Sequence, residues 1–244
     1  MSNNPISKYI RKIANTNKFV DLYSDSNLVD FYNDSSSEND FFDDIKFYMN
    51  NIGENERVVE LAAGSGRILY PLANGGRNII GIEKEPSMIE SKIDTVSTRI
   101  IQADIMNFSY LEKIYSNANV FILGATTISL FSEKEMTNFF KELNRVNSNY
   151  RIYFDFFDMN LFITKYPGKV INTNGTYYYH NFLDNNKVIY NLYHKESRTL
   201  GVSVKHVYDI NKVQTICHEN NMDFRVEKYL SNYYMINAYY KKYK

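Results

Sequence analysis

The chain has 244 residues with 28 basic and 28 acidic side chains, 44% hydrophobic and 23% charged. These are globular proportions that exclude extensive disorder and a fibrous class, and the cancelled charge argues against a dedicated binder of nucleic acid or anionic lipid. A single cysteine, Cys217, excludes an intrachain disulfide. The opening MSNNPISKYI lacks the apolar stretch of a secretory signal, and no apolar run approaches the roughly 18 residues of a spanning helix, so a cytoplasmic protein without a membrane partner is expected.

The first fifty residues read as helical and irregular. One helix is expected over Ile6–Asn15, and Phe41, Ile45, Tyr48, Met49 and Ile52 are spaced to form one apolar helix face. Between them, residues 21–44 hold Asp21, Asp25, Asp30, Asp34, Glu38, Asp40, Asp43 and Asp44 with no Lys, Arg or His. That is the strongest local charge imbalance in the chain, read either as a solvated face or as an acidic entrance. From Arg57 short apolar strands alternate with helical stretches, the grammar of a parallel sheet covered by helices. Strands are expected at Val58–Leu61, Asn78–Ile82, Arg99–Ala103, Val120–Leu123 and Arg151–Phe156. Helices are expected at Gly66–Ala73, Pro86–Ile93, Phe108–Tyr115 and Ser132–Val146, the last opened by a Ser132/Glu135 capping box. After Asn160 the strands Gly168–Phe182, Lys187–Glu196 and Gly201–Ile210, with turns at Asn174-Gly175 and Asp184-Asn185-Asn186, suggest an antiparallel insertion. A helix at Lys212–Asn220 and strands at Asp223–Glu227 and Tyr233–Tyr240 then return toward the main sheet.

The chemistry is concentrated in Val58-Val59-Glu60-Leu61-Ala62-Ala63-Gly64-Ser65-Gly66-Arg67. A buried strand ends in an acid, a small-residue turn follows, and a helix begins. Gly64 and Gly66 have no Cβ and admit a ligand close to the backbone, and Ala62 is nearly as permissive where its φ is negative. A dinucleotide fingerprint is broken by Leu69 three positions after Gly66, and there is no phosphate-loop motif. Glu60 repels a pyrophosphate but suits a cationic ligand, a requirement that S-adenosylmethionine meets through its ammonium and sulfonium. Glu83 ends the next strand, placed to accept both ribose hydroxyls. Asp104 follows the third strand, suited to an adenine amino group with Ile105 over the ring. Three acids at three consecutive strand ends are more specific than any one.

On these residues the chain resembles the class I S-adenosylmethionine-dependent methyltransferases, closely over about residues 54–160 and in outline elsewhere. The resemblance implies an α/β fold with a Rossmann-like doubly wound sheet. A helical N-terminal lid (1–53), a cofactor core (54–160) and a segment of antiparallel strands inserted after strand five and returning to the core sheet (161–244) complete it. It implies that Glu60, Ala62, Gly64 and Gly66 bind the methionine part, Glu83 the ribose and Asp104 with Ile105 the adenine, with Lys84, Met88 and Gly124 around the same cofactor. Ala62 stands where the family has its first loop glycine. Metal-dependent members need an acid near the end of strand four, where this chain has Gly124 and Ala125, so no metal is expected despite the ligand-like Asp155, Asp158 and Asn160.

Strand four ends in Gly124-Ala125-Thr126-Thr127 and lacks the [DN]-P-P-[YFW] motif of base-modifying enzymes, so nucleic acid is not the expected substrate. An acidic lid over the strand ends favours a cationic acceptor. Tyr23, Asp30, Tyr32, Asp34, Thr126, Thr127, Asp155 and Tyr178 are the candidate substrate contacts, with Asp155 holding an ammonium and His194, His180 or Asp155 assisting its deprotonation. With 22 tyrosines, each single tyrosine is a weak signal. The expected activity is N-methylation of a small metabolite or modified peptide, as in natural-product pathways. O-methylation of a hydroxylated metabolite and a noncatalytic sensor or scaffold are the alternatives, and the late strands leave a homodimer open.

Overall fold

The computed structural model describes residues 5–37, 43–91, 99–230 and 232–241. Glu38, Asp40 and Phe41 of the acidic and apolar N-terminal patterns, and the end of the helix expected over Pro86–Ile93, lie outside the described residues. In chain order the elements are helix α1 (Lys8–Ile13), strand β1 (Lys18–Asp21), α2 (Ser26–Ser37), α3 (Asp44–Asn51), β2 (Arg57–Leu61), α4 (Leu69–Asn74), β3 (Asn78–Glu83) and α5 (Pro86–Glu90). Next come β4 (Ile100–Gln102), α6 (Phe108–Asn117), β5 (Val120–Leu123), α7 (Glu133–Val146) and β6 (Asn149–Phe157). β7 (Gly168–Asn172), β8 (Gly175–Asp184), β9 (Lys187–His194) and β10 (Thr199–His206) follow, then α8 (Ile210–Glu219), β11 (Asp223–Leu230) and β12 (Tyr233–Lys241). By packing, the chain divides into two compact units, Met1–Glu38 with Asp158–Val207, and Asn39–Phe157 with Tyr208–Lys244. The expected N-terminal segment 1–53 is therefore shared between the two.

The larger unit holds a seven-stranded sheet in the order β11-β12-β6-β5-β2-β3-β4. β2 to β6 are parallel, while β12 runs antiparallel to β6 and β11 antiparallel to β12. All four residues of β5 are buried, as its unbroken apolar run requires of a strand covered on both faces. One face packs against α6, α7 and α8 through Leu111, Tyr115, Phe139, Phe140, Val213 and Ile216. The capping box at Ser132 and Glu135 is formed and starts α7. Strand order reverses between β2 and β5, so the carboxyl ends of these two neighbours flank the crevice where open α/β sheets take ligands. The helix expected from Gly66 begins at Leu69 instead, because Gly66 has φ +81° and is not helical.

The smaller unit is a five-stranded sheet, β1-β10-β9-β8-β7, antiparallel except for β1 beside β10. The segment expected as one strand over 168–182 is a hairpin of β7 and β8, whose tight turn lets Asn172 Oδ1 accept from Asn174 N and Gly175 N. Asn185 and Asn186, with φ +47° and +60°, make the next turn between β8 and β9, as their residue types favour. Alternation sends Tyr177 and Tyr179 to a face packed with Leu22, Leu28 and Leu192, and Tyr178 to the other, against Ile10, Tyr193 and Leu200. No helix among the described residues is long and apolar enough to cross a membrane.

Candidate active site

The carboxyl end of β2 carries the site. After Leu61 the chain turns through Ala62 (φ +53°), Gly64 (φ +57°) and Gly66 (φ +81°). Ala62, nearly as permissive as glycine only at negative φ, adopts the left-handed region, which costs a non-glycine residue about 1–2 kcal/mol. The turn is held by Ala63 N donating to Ile82 O and Gly66 N to Ala63 O, each at 2.9 Å. A Cβ on Gly64 would lie 2.8 Å from Met88 Cε, and one on Gly66 would run into the Tyr70 ring. Both glycines are thus required by φ and by the walls around them. On β5's side, a Cβ on Gly124 would lie 2.5 Å from Ile68 Cδ1.

Glu60 is 4% exposed, and its Oε2 has no hydrogen-bond partner among the described residues. Burial pushes its carboxyl up to about 8, opposed by Arg67 and reinforced by Asp44. Glu83 is also buried, and burial raises its pKa against three backbone donors: Gly64 N at 2.7 Å to Oε2, and Lys84 N and Glu85 N at 2.8 Å to Oε1. A carboxylate has about four acceptor positions. One therefore remains, where both ribose hydroxyls were expected. Asp104 is half-buried, accepts from Met106 N at 2.9 Å, and lies 3.5 Å from the exposed Lys84 ammonium. Ile105, expected over the adenine ring, is instead 4% exposed within the core cluster of Phe108 and Leu111.

The sequence reading missed a charged pair beside Glu60. Asp44 at the start of α3 accepts from Arg67 Nη1 at 3.0 Å and also from Nη2, with side-chain exposures of 1% and 13%. The only hints were a lone cation directly after the glycine turn and an acid ending a run without local counter-charges. Asp155 on β6 is fully buried; its Oδ2 accepts from Thr126 N at 2.8 Å, and its Oδ1, like Glu60 Oε2, has no hydrogen-bond partner among the described residues. It was expected to touch an ammonium; it fastens the backbone after β5, where Ala125 and Thr126 have φ +56° and +58°. Burial raises Asp155 to about 7, with the Thr126 N–H pulling it down. Thr127 N closes the same turn onto Gly124 O at 3.1 Å. Tyr48 is fully buried nearby and donates toward Met235 Sδ at 3.7 Å.

The larger unit thus brings together Glu60, Ala62, Gly64, Gly66, Glu83, Lys84, Met88, Asp104, Gly124, Thr126, Thr127 and Asp155. The remaining candidates belong to the smaller unit, where Tyr23 and Tyr32 pack edge to face at 5.6 Å. Asp34 accepts from Asn172 and Asn174 side chains at 2.9 and 3.1 Å. Burial, then Asp34 and Asp25, raise the Asp30 carboxyl, while Asp25 pairs with Lys18 at 2.8 Å. Tyr178 lies on the opposite sheet face from the Tyr23 cluster. His194 is corrected as a proton acceptor: its Nδ1 meets Ser197 Oγ at 2.8 Å and its Nε2 meets Asn174 O at 3.1 Å, with the ring stacked on Tyr177. His180 is likewise held at both nitrogens, by Ser7 Oγ and Thr164 O.

The fold is similar to that of several solved structures. An S-adenosylmethionine-dependent methyltransferase from Clostridium acetobutylicum aligns with TM-score 0.68 at 11% identity, over 87% of this chain and 97% of that one. A methyltransferase from Streptomyces caelestis aligns at 0.63 and 12%, over 80% and 87%. A sugar N-methyltransferase from Streptoalloteichus aligns at 0.62 and 10%, over 81% and 85%. No protein-family model matches the sequence, and no curated protein does. At these identities the likeness establishes the fold: a Rossmann-like doubly wound sheet of the kind found in S-adenosylmethionine-dependent methyltransferases.

Proposed function

We propose that the protein is an S-adenosylmethionine-dependent methyltransferase acting on an amino group of a small metabolite or modified peptide. The observation that carries the cofactor assignment is Glu60, a buried carboxylate oxygen without a donor at the switch point of the sheet. A buried acid with one oxygen lacking a donor is costly to ionise, and a ligand cation relieves that cost. The residues fit the cofactor further: Glu83, at the end of the neighbouring strand, keeps one acceptor position for a ligand hydroxyl. When bound, S-adenosylmethionine supplies a methyl carbon activated by its sulfonium.

The protein's part is positioning, which is worth on the order of 7–11 kcal/mol when reacting atoms are well aligned. Glu60 anchors the cation, and Glu83 holds Gly64 N–H and so the shape of the turn. Asp155 keeps Thr126 N–H, and with it the strained turn after β5, in one conformation. The amine reading is supported by structural neighbours that include a sugar N-methyltransferase and a glycopeptide N-methyltransferase. Titration calorimetry with S-adenosylmethionine and with NAD tests the cofactor: the first is expected to bind and Glu60→Gln to weaken it at least roughly tenfold, about 1.4 kcal/mol. A preference for NAD overturns the assignment. Turnover against matched amine and alcohol libraries tests the acceptor, and equal rates for both remove the amine.

A further inference from the structure

A cation of the protein itself already lies beside Glu60, and the fold keeps it occupied elsewhere. After burial, the strongest influence on the Glu60 carboxyl is the Arg67 guanidinium, which lowers its pKa, and the next is Asp44, which raises it. Behind burial and the Thr126 N–H, the same two charges act on Asp155. Arg67 thus stands within electrostatic reach of three buried acids, and two of them keep an oxygen without a donor, Glu60 Oε2 and Asp155 Oδ1. A guanidinium and an unpartnered carboxylate oxygen sharing a poorly solvated place are expected to pair, because hydrogen bonds between charged groups are the strong ones. Glu60 Oε2 nevertheless goes without.

Asp44 supplies the reason. Its two oxygens take both terminal nitrogens of Arg67, Oδ1 from Nη1 at 3.0 Å and Oδ2 from Nη2, a fork-to-fork arrangement that fixes a guanidinium in direction as well as position. Asp44 is itself held. It is the first residue of α3, its side chain is 1% exposed, and its Oδ1 also accepts from Ile45 N at 2.8 Å. An acid in the first turn of a helix is favoured further by the backbone N–H groups there.

We infer that Asp44 is a positioning residue for the cofactor: by occupying Arg67 it keeps Glu60 open to the ligand's ammonium or sulfonium. Without Asp44 the arginine turns to Glu60 and closes the site to cations. The inference rests on the cofactor reading above.

Titration calorimetry tests it with three ligands that share one nucleoside. S-adenosylmethionine carries an ammonium and a sulfonium, S-adenosylhomocysteine the ammonium alone, and methylthioadenosine neither. Asp44→Leu is expected to lose affinity for S-adenosylmethionine at least roughly tenfold and to bind methylthioadenosine as the wild type does. A matching loss for S-adenosylhomocysteine supports the role and assigns the ammonium to Glu60; retained S-adenosylhomocysteine binding supports it and assigns the sulfonium. Adding Arg67→Met to Asp44→Leu is expected to restore binding, and in a Glu60→Gln background Asp44→Leu is expected to cost nothing more, because its effect passes through Glu60. Thermal unfolding checks each variant. Asp44→Asn, which keeps one acceptor for Arg67, is expected to show a smaller loss with the same ligand dependence, and it carries the comparison if Asp44→Leu does not fold. The role of Asp44 is overturned by a folded variant that binds S-adenosylmethionine as the wild type does, by equal losses for methylthioadenosine, by additive losses with Glu60→Gln, or by a double variant that stays weak. A wild type that binds none of the three ligands overturns the cofactor reading itself, and the role of Asp44 with it.

Discussion

Two buried sites, one in each unit, treat their polar groups differently. In the smaller unit His180 and His194 are buried, yet each ring nitrogen meets a hydroxyl or a carbonyl, so the polar cost of burial is met locally. In the larger unit Glu60 is equally buried and keeps an oxygen without a donor, while Ala62, Ala125 and Thr126 hold left-handed backbones around it. Polar groups satisfied on every side hold the structure together. Groups left unsatisfied beside strained turns mark the place where a ligand supplies what the fold withholds. Residue type alone points the other way, since histidine titrates near neutrality and glutamate does not.

The largest effect expected from breaking this contrast is at the pair beside Glu60. Arg67→Met leaves Asp44 charged and buried, at a cost of about 3–5 kcal/mol. Adding Asp44→Leu is expected to recover most of it. Denaturant midpoints measure both, and an Arg67→Met protein as stable as the wild type removes the pair from the account.

Glu60 comes next and works through pH. Its pKa in the folded state, about 8, lies above the ordinary 4.5. The stability it contributes is therefore fully present below about 4.5 and is lost as pH rises through about 8. The protein without cofactor is expected to weaken across that window by a few kcal/mol, because each tenfold change in proton affinity is worth about 1.4 kcal/mol. Asp155 adds a similar slope from 3.8 to about 7. Glu60→Gln should flatten the upper part of the curve, and urea unfolding from acid to alkaline pH that gives the same slope in both proteins would falsify the burial argument.

Asp155→Ala strands Thr126 N–H in the interior, at roughly 1.5–3 kcal/mol for a bond to a charged group. Asp155→Asn retains an acceptor and is expected to cost less. If the two variants unfold at the same midpoint, the carboxylate does not fasten the turn. The smallest effect is at His194, where replacement by glutamine is expected to cost about 1 kcal/mol and leave turnover per folded molecule unchanged. A collapse of kcat in a folded His194→Gln protein would restore it as a proton acceptor.

The parallel core was legible because its signals are local. The strands over Val58–Leu61, Asn78–Ile82, Val120–Leu123 and Arg151–Phe156 are apolar runs bounded by turns, and the Ser132 box lies within four residues of sequence. Each was found in place, as was the return of the last two strands to the main sheet. β1 was not foreseen, because its pairing with β10 joins residues about 180 positions apart and a four-residue strand has little pattern of its own.

The sequence by itself determined the order of elements in the parallel core, the glycines of the turn and the acids at three strand ends, since periodicity and backbone conformation act between near neighbours. Tertiary structure alone decided which polar groups found partners. Asp44 reaches Arg67, Asp155 reaches Thr126 and His194 reaches Asn174 across 23, 29 and 20 positions. Burial and hydrogen bonding depend on those distant meetings, which no local pattern in the sequence encodes.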